Sequence, residues 1–221
     1  MARTVILFDL DGTLVDTAAD LAWALNQVLS SIGRDPLSEA SVRTMIGGGI
    51  ANLVSQGLEA TGGAVGAAEF TLLTTNCKAL YSDHVADRSR PYPGVADALP
   101  ALAKAGFGMG VCTNKPESAS RRLLSALALD VWLPVVVGGD TLPVRKPDPA
   151  VARAVMERLG ATEQTAVLVG DSVTDVALAR AAGISVVLVS YGYAEEPIKD
   201  MGADAVISNF AELNALLATL P

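Results

Sequence analysis

Two aspartates stand two residues apart directly after the first apolar segment of the chain. Asp9 and Asp11 follow the run Thr4–Phe8, whose β-branched and aromatic residues predict a buried strand of a parallel sheet. In open α/β sheets, ligands bind beyond the carboxyl ends of the strands. Two ionised carboxylates this close repel each other unless a cation lies between them, and Mg²⁺ accepts one or two carboxylates together with phosphate and water. The pair is therefore a candidate metal site, and an Asp-Gly turn with solvated acids is the alternative for these residues alone.

A second apolar segment, Val167–Val169, also ends in acids. Asp171 and Asp175 follow it, four residues apart, which puts them on one face of a helix if the helix has begun there. Adding Asp171 to the first pair gives an oxygen-rich cation site built from two strand ends. The alternative is that Asp171 only caps the helix.

Two further segments could supply contacts for a phosphate. Thr113 and Asn114 end another apolar strand, and Pro116 suits the first position of the helix that follows, where free N–H groups favour an anion. Lys146 lies between a loop and two prolines, as a fixed positive charge suited to neutralising Asp9 and phosphoryl oxygens. A capping threonine and a surface lysine are the alternatives for these residues alone.

The elements that must position these residues alternate along most of the chain. After Asp16 the apolar spacing becomes helical, with Gly33 at a helix end and Ser38 capping a second helix that reaches Met45. From residue 89 onward, predicted strands and helices alternate, which is typical of a parallel, doubly wound sheet. The further predicted helices are Ile50–Leu58, Ala67–Val85, Val95–Ala105, Glu117–Leu127, Ala150–Leu159, Val176–Ala182 and Glu212–Leu220, and the further strands are Phe107–Cys112, Val135–Val137, Ala166–Val169, Ser185–Val189 and Ala205–Ile207.

Composition restricts the class of protein. The 221 residues are 51% hydrophobic, enough for a sizeable core, and the formal charge of −8 argues against a nucleic-acid surface. The two cysteines, Cys77 and Cys112, are too few for a disulfide framework and are expected to be reduced core thiols. With neither a signal-peptide pattern nor a long apolar span, the sequence predicts a soluble cytoplasmic protein without a membrane partner.

The string Asp9–Asp16 resembles the signature of the haloacid dehalogenase-like phosphohydrolase superfamily, and the segments at Thr113, Lys146 and Asp171 occur in that family's order. The resemblance implies that Asp9 is a nucleophile that forms an aspartyl-phosphate and that Asp11 is the general acid/base. It implies that Mg²⁺ is bound by Asp9, Asp171 and the backbone carbonyl of Asp11. It also assigns phosphate binding to Thr113, Asn114 and Lys146, and a supporting role to Asp175.

The same resemblance implies a Rossmann-like α/β catalytic core, residues 1–16 and 89–221, with an α-helical cap inserted at residues 17–88. Such a cap shields the reaction from water and selects the substrate. Thr17 and the segment Pro91–Pro93 are the expected hinges.

Substrate choice is expected to depend on the cap segment Ser41–Ile50. Its residues Gly47, Gly48 and Gly49 allow backbone amides close to a ligand, and Arg43 could pair with a carboxylate, although a solvated arginine beside a glycine-rich turn is the alternative. With Thr113–Pro116, Gly138–Asp140 and Lys146–Pro149, this segment looks like the bacterial phosphoglycolate phosphatase family, which implies a small anionic monoester, 2-phosphoglycolate. Other phosphatases for sugar phosphates, nucleotides or pyrophosphate, a β-phosphoglucomutase-like mutase and a non-catalytic binding module are the alternatives.

Overall fold

A computed structural model of the protein describes residues 4–161, 166–194 and 197–217. The chain divides into two compact units, one made of Met1–Asp16 with Pro91–Pro221 and the other of Thr17–Arg90. We refer to them as the sheet unit and the helical unit. The division falls two residues beyond the seam predicted between residues 88 and 89.

The secondary structure follows the predicted alternation. The strands are β1 (Val5–Phe8), β2 (Val15–Asp16), β3 (Arg90–Pro91), β4 (Gly108–Cys112), β5 (Val135–Val137), β6 (Ala166–Gly170), β7 (Ser185–Val189) and β8 (Ala205–Ile207). The helices are α1 (Ala18–Ser31), α2 (Glu39–Arg43), α3 (Ile50–Ala60), α4 (Ala67–Asp83), α5 (Val95–Lys104), α6 (Glu117–Ala126), α7 (Pro149–Leu159), α8 (Val173–Ala182) and α9 (Leu213–Leu217). Short 3₁₀ turns occupy Ile198–Asp200 and Phe210–Glu212.

In the sheet unit, six strands form one sheet in the order β5-β4-β1-β6-β7-β8, and every pair in it is parallel. Strand β1 lies near the middle and is fully buried, as its continuous apolar sequence predicts. Val5 and Leu7 belong to a core that also includes side chains of α7 and α8. The ring of Phe8, in the alternate position along β1, lies 5.8 Å from the ring of Phe210. The doubly wound α/β fold is confirmed.

The strand order reverses at β1. From β1 the chain continues to β4 and β5 on one side, and later returns to β6, β7 and β8 on the other side. Such a reversal opens a crevice beyond the carboxyl ends of the strands, where ligands of this fold class bind. Phe8 is in register with Val111 of β4 and Val169 of β6, so the residues that follow these three strands meet at the same edge.

The helical unit is built from α1 to α4, with α1 in contact with the other three helices. Its core consists of side chains at helical spacing in α1, together with Leu58, Cys77 and Tyr81. A fully buried carboxylate, Asp20, accepts hydrogen bonds from the backbone amides of Arg88 and Ser89 and from the Ser89 hydroxyl, at 2.7–3.0 Å. Asp20 therefore fixes the last residues of this unit to its first helix.

Several helix boundaries differ from the sequence predictions. Helix α2 ends at Arg43 rather than Met45, and the hydroxyl of Thr44 donates to the carbonyl of Ser41 there. Pro116 is the residue that precedes α6, with ψ of 140°, and not its first helical position. Helix α8 begins three residues before the predicted Val176. The predicted helix Glu212–Leu220 starts as a 3₁₀ turn, and its last three residues lie outside the described part of the chain.

Both cysteines are buried and reduced, as the sequence predicts. Burial raises the pKa of each thiol to about 12, so both stay protonated at neutral pH. Among the described residues, the helices are too short or too polar to cross a membrane.

Candidate active site

Lys146 is the charge centre of the crevice. Its side chain is 2% exposed, and Nζ lies 2.9 Å from Oδ2 of Asp9 and 2.6 Å from Oδ1 of Asp175. Nζ also donates to the carbonyl of Cys112, the last residue of β4, at 3.3 Å. Burial alone would lower the pKa of Lys146, but the carboxylates of Asp175 and Asp9 raise it above its usual value. The lysine therefore remains a cation between two acids.

Asp175 holds the start of α8 together. Its Oδ2 accepts from the backbone amides of Asp171 and Ser172 at 3.2 and 3.1 Å, and from the Ser172 hydroxyl at 2.6 Å. An acid in the first turn that accepts from the preceding amides satisfies donors that an α-helix leaves unpaired. This pattern explains why α8 starts at Val173, and it leaves Oδ1 of Asp175 directed at Lys146.

Asp171 is held on both sides by groups of the sheet unit. Its Oδ1 accepts from the hydroxyl of Thr13 at 3.2 Å, and its Oδ2 accepts from the backbone amide of Tyr193 at 2.7 Å. A Cβ at Gly12 would lie 2.3 Å from Oδ2, and one at Gly192 would lie 2.3 Å from Cβ of Asp171. Gly12 also has φ of +86°, a conformation that other residues rarely adopt. The carboxylate is thus packed between two glycines.

Asp11 has a different partner from Asp9. The ammonium of Lys115 lies 3.0 Å from Oδ1 and 3.2 Å from Oδ2 of Asp11, and the Lys115 side chain is 3% exposed. Strand β1 ends at Phe8, and the turn at Gly12 follows it, so strand alternation does not continue through both acids. The two acids therefore carry separate ion pairs.

Thr113 and Asn114 follow β4, and Thr113 is buried whereas Asn114 is partly buried. The hydroxyl of Thr113 accepts from the backbone amide of Lys115 at 3.3 Å, and Nδ2 of Asn114 donates to the carbonyl of Lys146 at 3.4 Å. The buried Oδ1 of Asn114 has no hydrogen-bond partner among the described residues. Asn114 thus contacts the loop that carries Lys146 through Nδ2, while its Oδ1 remains available as a hydrogen-bond acceptor.

Asp9, Asp171 and Asp175 each offer an oxygen to one site, and these oxygens lie within 4.8 Å of one another. When all three carboxylates are ionised, Lys146 compensates one of their three negative charges, and the remaining two match the charge of one divalent cation. Burial raises the pKa of Asp9 and of Asp171, and the Asp175 carboxylate raises both further. Hard oxygen donors with this excess charge fit a divalent metal. Of the three, Asp175 has one oxygen paired with Lys146 and the other with donors at the start of α8.

The remaining predicted residues belong to the helical unit. Arg43 forms an ion pair with Glu39, one turn earlier in α2, at 3.2 Å. Gly47 and Gly49 have φ of +124° and +84°, and Gly49 directly precedes α3. A Cβ at Gly48 would lie 2.5 Å from the side-chain amide of Asn52. Gly47 and Gly49 thus have backbone conformations that other residues rarely adopt, and Gly48 lies close to Asn52.

Three contacts of the crevice were missed from the sequence: Thr13 and Tyr193 on Asp171, and Lys115 on Asp11. Tyr193 follows β7, whose carboxyl end lies at the same edge as those of β1 and β6, so its place after a strand was an available signal. Tyr193 also donates its hydroxyl to Asp16 at 2.8 Å, and the Tyr191 hydroxyl donates to the carbonyl of Thr13 at 3.0 Å. Hydrogen bonds from the loop after β7 therefore stabilise the turn that follows β1.

Residues 6–189 match the model of the haloacid dehalogenase-like hydrolase family. This chain belongs to that family. The match spans both units and every residue of the crevice described above except Tyr191–Tyr193. Haloacid dehalogenase-like phosphatases use a divalent metal, in agreement with the three carboxylates of Asp9, Asp171 and Asp175.

Relatives of this haloacid dehalogenase-like hydrolase are similar over nearly their whole length. Phosphoglycolate phosphatase of Rhodospirillum rubrum is 45% identical over 94% of this chain and 88% of its own, and that of Caulobacter vibrioides is 42% identical over 97% and 91%. The crystal structure of a predicted phosphoglycolate phosphatase from Haemophilus somnus superposes with a TM-score of 0.90 at 32% identity, covering 97% of this chain and 98% of that one.

Proposed function

We propose that this hydrolase is a Mg²⁺-dependent phosphatase that converts 2-phosphoglycolate into glycolate and phosphate. The observation that carries the reaction type is the buried contact of Asp9 with Lys146, within a group of three carboxylates. A carboxylate nucleophile and an anionic phosphate repel each other, and a neighbouring cation offsets this repulsion. Whole-length similarity to two phosphoglycolate phosphatases supports the choice of substrate.

In the first step, an oxygen of Asp9 attacks the phosphorus of the ester in line with the bond that breaks. A P–O bond forms to Asp9, the P–O bond to the alcohol breaks, and Asp11 gives its proton to the leaving oxygen. Lys146 compensates the charge of the phosphoryl oxygens, and the Thr113 hydroxyl and the backbone amide of Asn114 donate hydrogen bonds to them.

In the second step, Asp11 takes a proton from a water molecule, whose oxygen attacks the phosphorus. The bond to Asp9 breaks, phosphate leaves and the Asp9 carboxylate is restored. Bound Mg²⁺ would supply charge neutralisation of the phosphoryl group. Asp9, Asp171 and the backbone carbonyl of Asp11 would hold it, and Asp175 would keep Lys146 in position.

The helical unit, residues 17–88, is proposed as a cap that selects the substrate, with Arg43 and the run Gly47–Gly49 as its contribution to the binding of a small anion. We also infer a cytoplasmic location, which the two reduced, buried thiols support.

Phosphate release with Mg²⁺ over a panel of esters tests the proposal. The panel holds 2-phosphoglycolate, sugar phosphates, nucleotides, pyrophosphate and β-glucose 1-phosphate, and 2-phosphoglycolate is expected to give the highest kcat/KM. The Asp9→Asn variant is expected to lose at least about 10³-fold in kcat, since the nucleophile is removed. Asp83→Asn, at the end of α4, is the matched control.

Preference for another ester in this panel would reject the substrate and keep the aspartyl-phosphate chemistry. Conversion of β-glucose 1-phosphate into the 6-phosphate without phosphate release would indicate a mutase. Phosphate release by Asp9→Asn at the rate of the unmodified protein would reject the mechanism.

A further inference from the structure

Lys115 is a buried lysine to which the proposed reaction assigns no step. Its side chain is 3% exposed, and its ammonium contacts both oxygens of Asp11. Lysines are rarely this buried, because an ammonium taken out of water needs anionic partners to offset its lost hydration. The buried ammonium of Lys115 therefore points to a function in the crevice.

The backbone of Lys115 is fixed on both sides. Its amide donates to the Thr113 hydroxyl at 3.3 Å, and its carbonyl accepts from the amide of Gly139 at 2.9 Å. The neighbouring Glu117 amide donates to Asp140 at 2.7 Å, and a Cβ at Gly138 would lie 2.4 Å from that amide nitrogen. The loop after β5 thus holds the loop after β4 closely. The ammonium is preorganised rather than carried on a mobile surface chain.

The position of Lys115 relative to Asp11 indicates which part of a substrate it can meet. A general acid must come within hydrogen-bond reach of the ester oxygen that it protonates. Lys115 contacts both oxygens of that same acid, so in the proposed reaction its ammonium would lie beside the ester oxygen that Asp11 protonates. In 2-phosphoglycolate, the carbon bonded to the ester oxygen also carries the carboxylate.

Lys146 and Arg43, the two other cations proposed to contribute to substrate binding, are less suited to that carboxylate. Lys146 is engaged by Asp9 and Asp175 at the phosphoryl position. Arg43 pairs with Glu39 on the surface of α2, and its side chain is 32% exposed, where water screens an ionic contact. A buried ammonium binds an anion more strongly than an exposed one, because the local dielectric is lower.

We propose, on the basis of the function proposed above, that Lys115 binds the second anionic group of the substrate, the carboxylate of 2-phosphoglycolate. The sheet unit would then bind both anionic groups of the substrate, with Lys146 at the phosphoryl group and Lys115 at the carboxylate. Phosphate monoesters of small hydroxy acids carry both anionic groups and are the substrate class that this assignment implies.

The test compares two esters that differ only in this group, 2-phosphoglycolate and 2-hydroxyethyl phosphate. The measured quantity is the ratio of their kcat/KM values with Mg²⁺ in the unmodified protein and in Lys115→Met. Both esters are expected to lose some activity, since Lys115 also contacts Asp11, but the ratio is expected to fall at least about tenfold. Lys115→Arg, which keeps the charge, is expected to retain more of the ratio than Lys115→Met. Lys104→Met, an exposed lysine at the end of α5, is the control.

A binding measurement removes turnover from the test. In the Asp9→Asn background with Mg²⁺, isothermal titration is expected to give at least about tenfold weaker binding of 2-phosphoglycolate when Lys115→Met is added, with a smaller change for inorganic phosphate. Thermal unfolding of each variant verifies that it is folded.

The outcomes separate the two proposals. An unmodified protein that does not prefer 2-phosphoglycolate over 2-hydroxyethyl phosphate, which lacks the carboxylate, rejects the proposed substrate and the role of Lys115 with it. A protein with that preference whose ratio changes less than tenfold in Lys115→Met rejects the role of Lys115 alone, which would then be confined to positioning Asp11. An equal loss of affinity for 2-phosphoglycolate and inorganic phosphate rejects it in the same way.

Discussion

Replacing Asp175 by asparagine tests whether this side chain holds the active-site lysine. Oδ1 of Asp175 contacts Nζ of Lys146 at 2.6 Å, and Oδ2 accepts from three donors at the start of α8. An asparagine has the same shape, but its amide nitrogen is a donor. In one orientation that nitrogen faces the ammonium, and in the other it faces two backbone amides, so either orientation sets donor against donor.

The size of the effect follows from burial. Removing one partner of a buried ion pair costs roughly 3–5 kcal/mol, because the other charge is left uncompensated. Two factors reduce that figure: Lys146 keeps Asp9 at 2.9 Å, and Asp9 and Asp171 lose the repulsion of a third carboxylate. We expect Asp175→Asn to lower the free energy of unfolding by about 2–4 kcal/mol. We also expect kcat to fall at least about tenfold, because Lys146 is no longer fixed.

Urea unfolding measured by tryptophan fluorescence tests the stability change. Trp132 belongs to the sheet unit and Trp23 to the helical unit, so a Trp23→Phe background reports on the sheet unit. Glu212→Gln, an exposed acid-to-amide change at a side chain that accepts from Ser208, is the matched control, with an expected loss below about 0.5 kcal/mol. A loss below about 1 kcal/mol in Asp175→Asn, with kcat unchanged, would refute the reasoning.

Two further predictions concern other parts of the sheet unit. Gly192→Ala places a Cβ 2.3 Å from Cβ of Asp171 and must displace that carboxylate. The Mg²⁺ concentration for half-maximal activity is therefore expected to rise at least about tenfold, and an unchanged value would contradict a ligand role for Asp171. Hydrogen bonds from Arg180 hold the pKa of Asp204 below its usual value, so this carboxylate stabilises the fold above its unfolded-state pKa of about 4 and loses that contribution as pH falls through the lower folded-state value. The unfolding free energies of the unmodified protein and Asp204→Asn are therefore expected to differ at pH 7 and to converge near pH 2. The difference at pH 7 is expected to be no more than about 1 kcal/mol, because the ion pair with Arg180 is exposed. A constant difference over this pH range would reject the electrostatic origin.

The alternation of apolar segments with helical spacing predicted the parallel, doubly wound sheet, and the strands Val135–Val137, Ser185–Val189 and Ala205–Ile207 have the predicted bounds. These features are local, since they depend on periodicity and on turn residues. Helix ends were less predictable. Helix α8 starts at Val173, although Val173 and Thr174 are β-branched, because Asp175 accepts hydrogen bonds from the amides of the residues just before the helix.

The edge of the sheet at which the candidate residues meet followed from sequence, because parallel strands end on the same side. Asp9, Thr113 and Asp171 each follow a predicted strand, and the register of β1 with β4 and β6 brings the residues after these strands together. The catalytic and binding roles assigned to them stay predictions. The position of Lys146 between a loop and two prolines is only a weak signal, because a surface lysine beside a proline looks the same, and the family resemblance strengthens it.

The sequence by itself determined that acids would line the carboxyl edge of a parallel sheet, because strand identity and strand direction are encoded locally. Only the tertiary structure decided which acid meets which lysine. Asp9 and Lys146 are separated by 137 residues, and Asp11 and Lys115 by 104. The direction of each side chain depends on how the turns after β1 and β4 are packed by Gly12, Gly138 and the loop after β7. Those contacts are long-range, so no local pattern carries them.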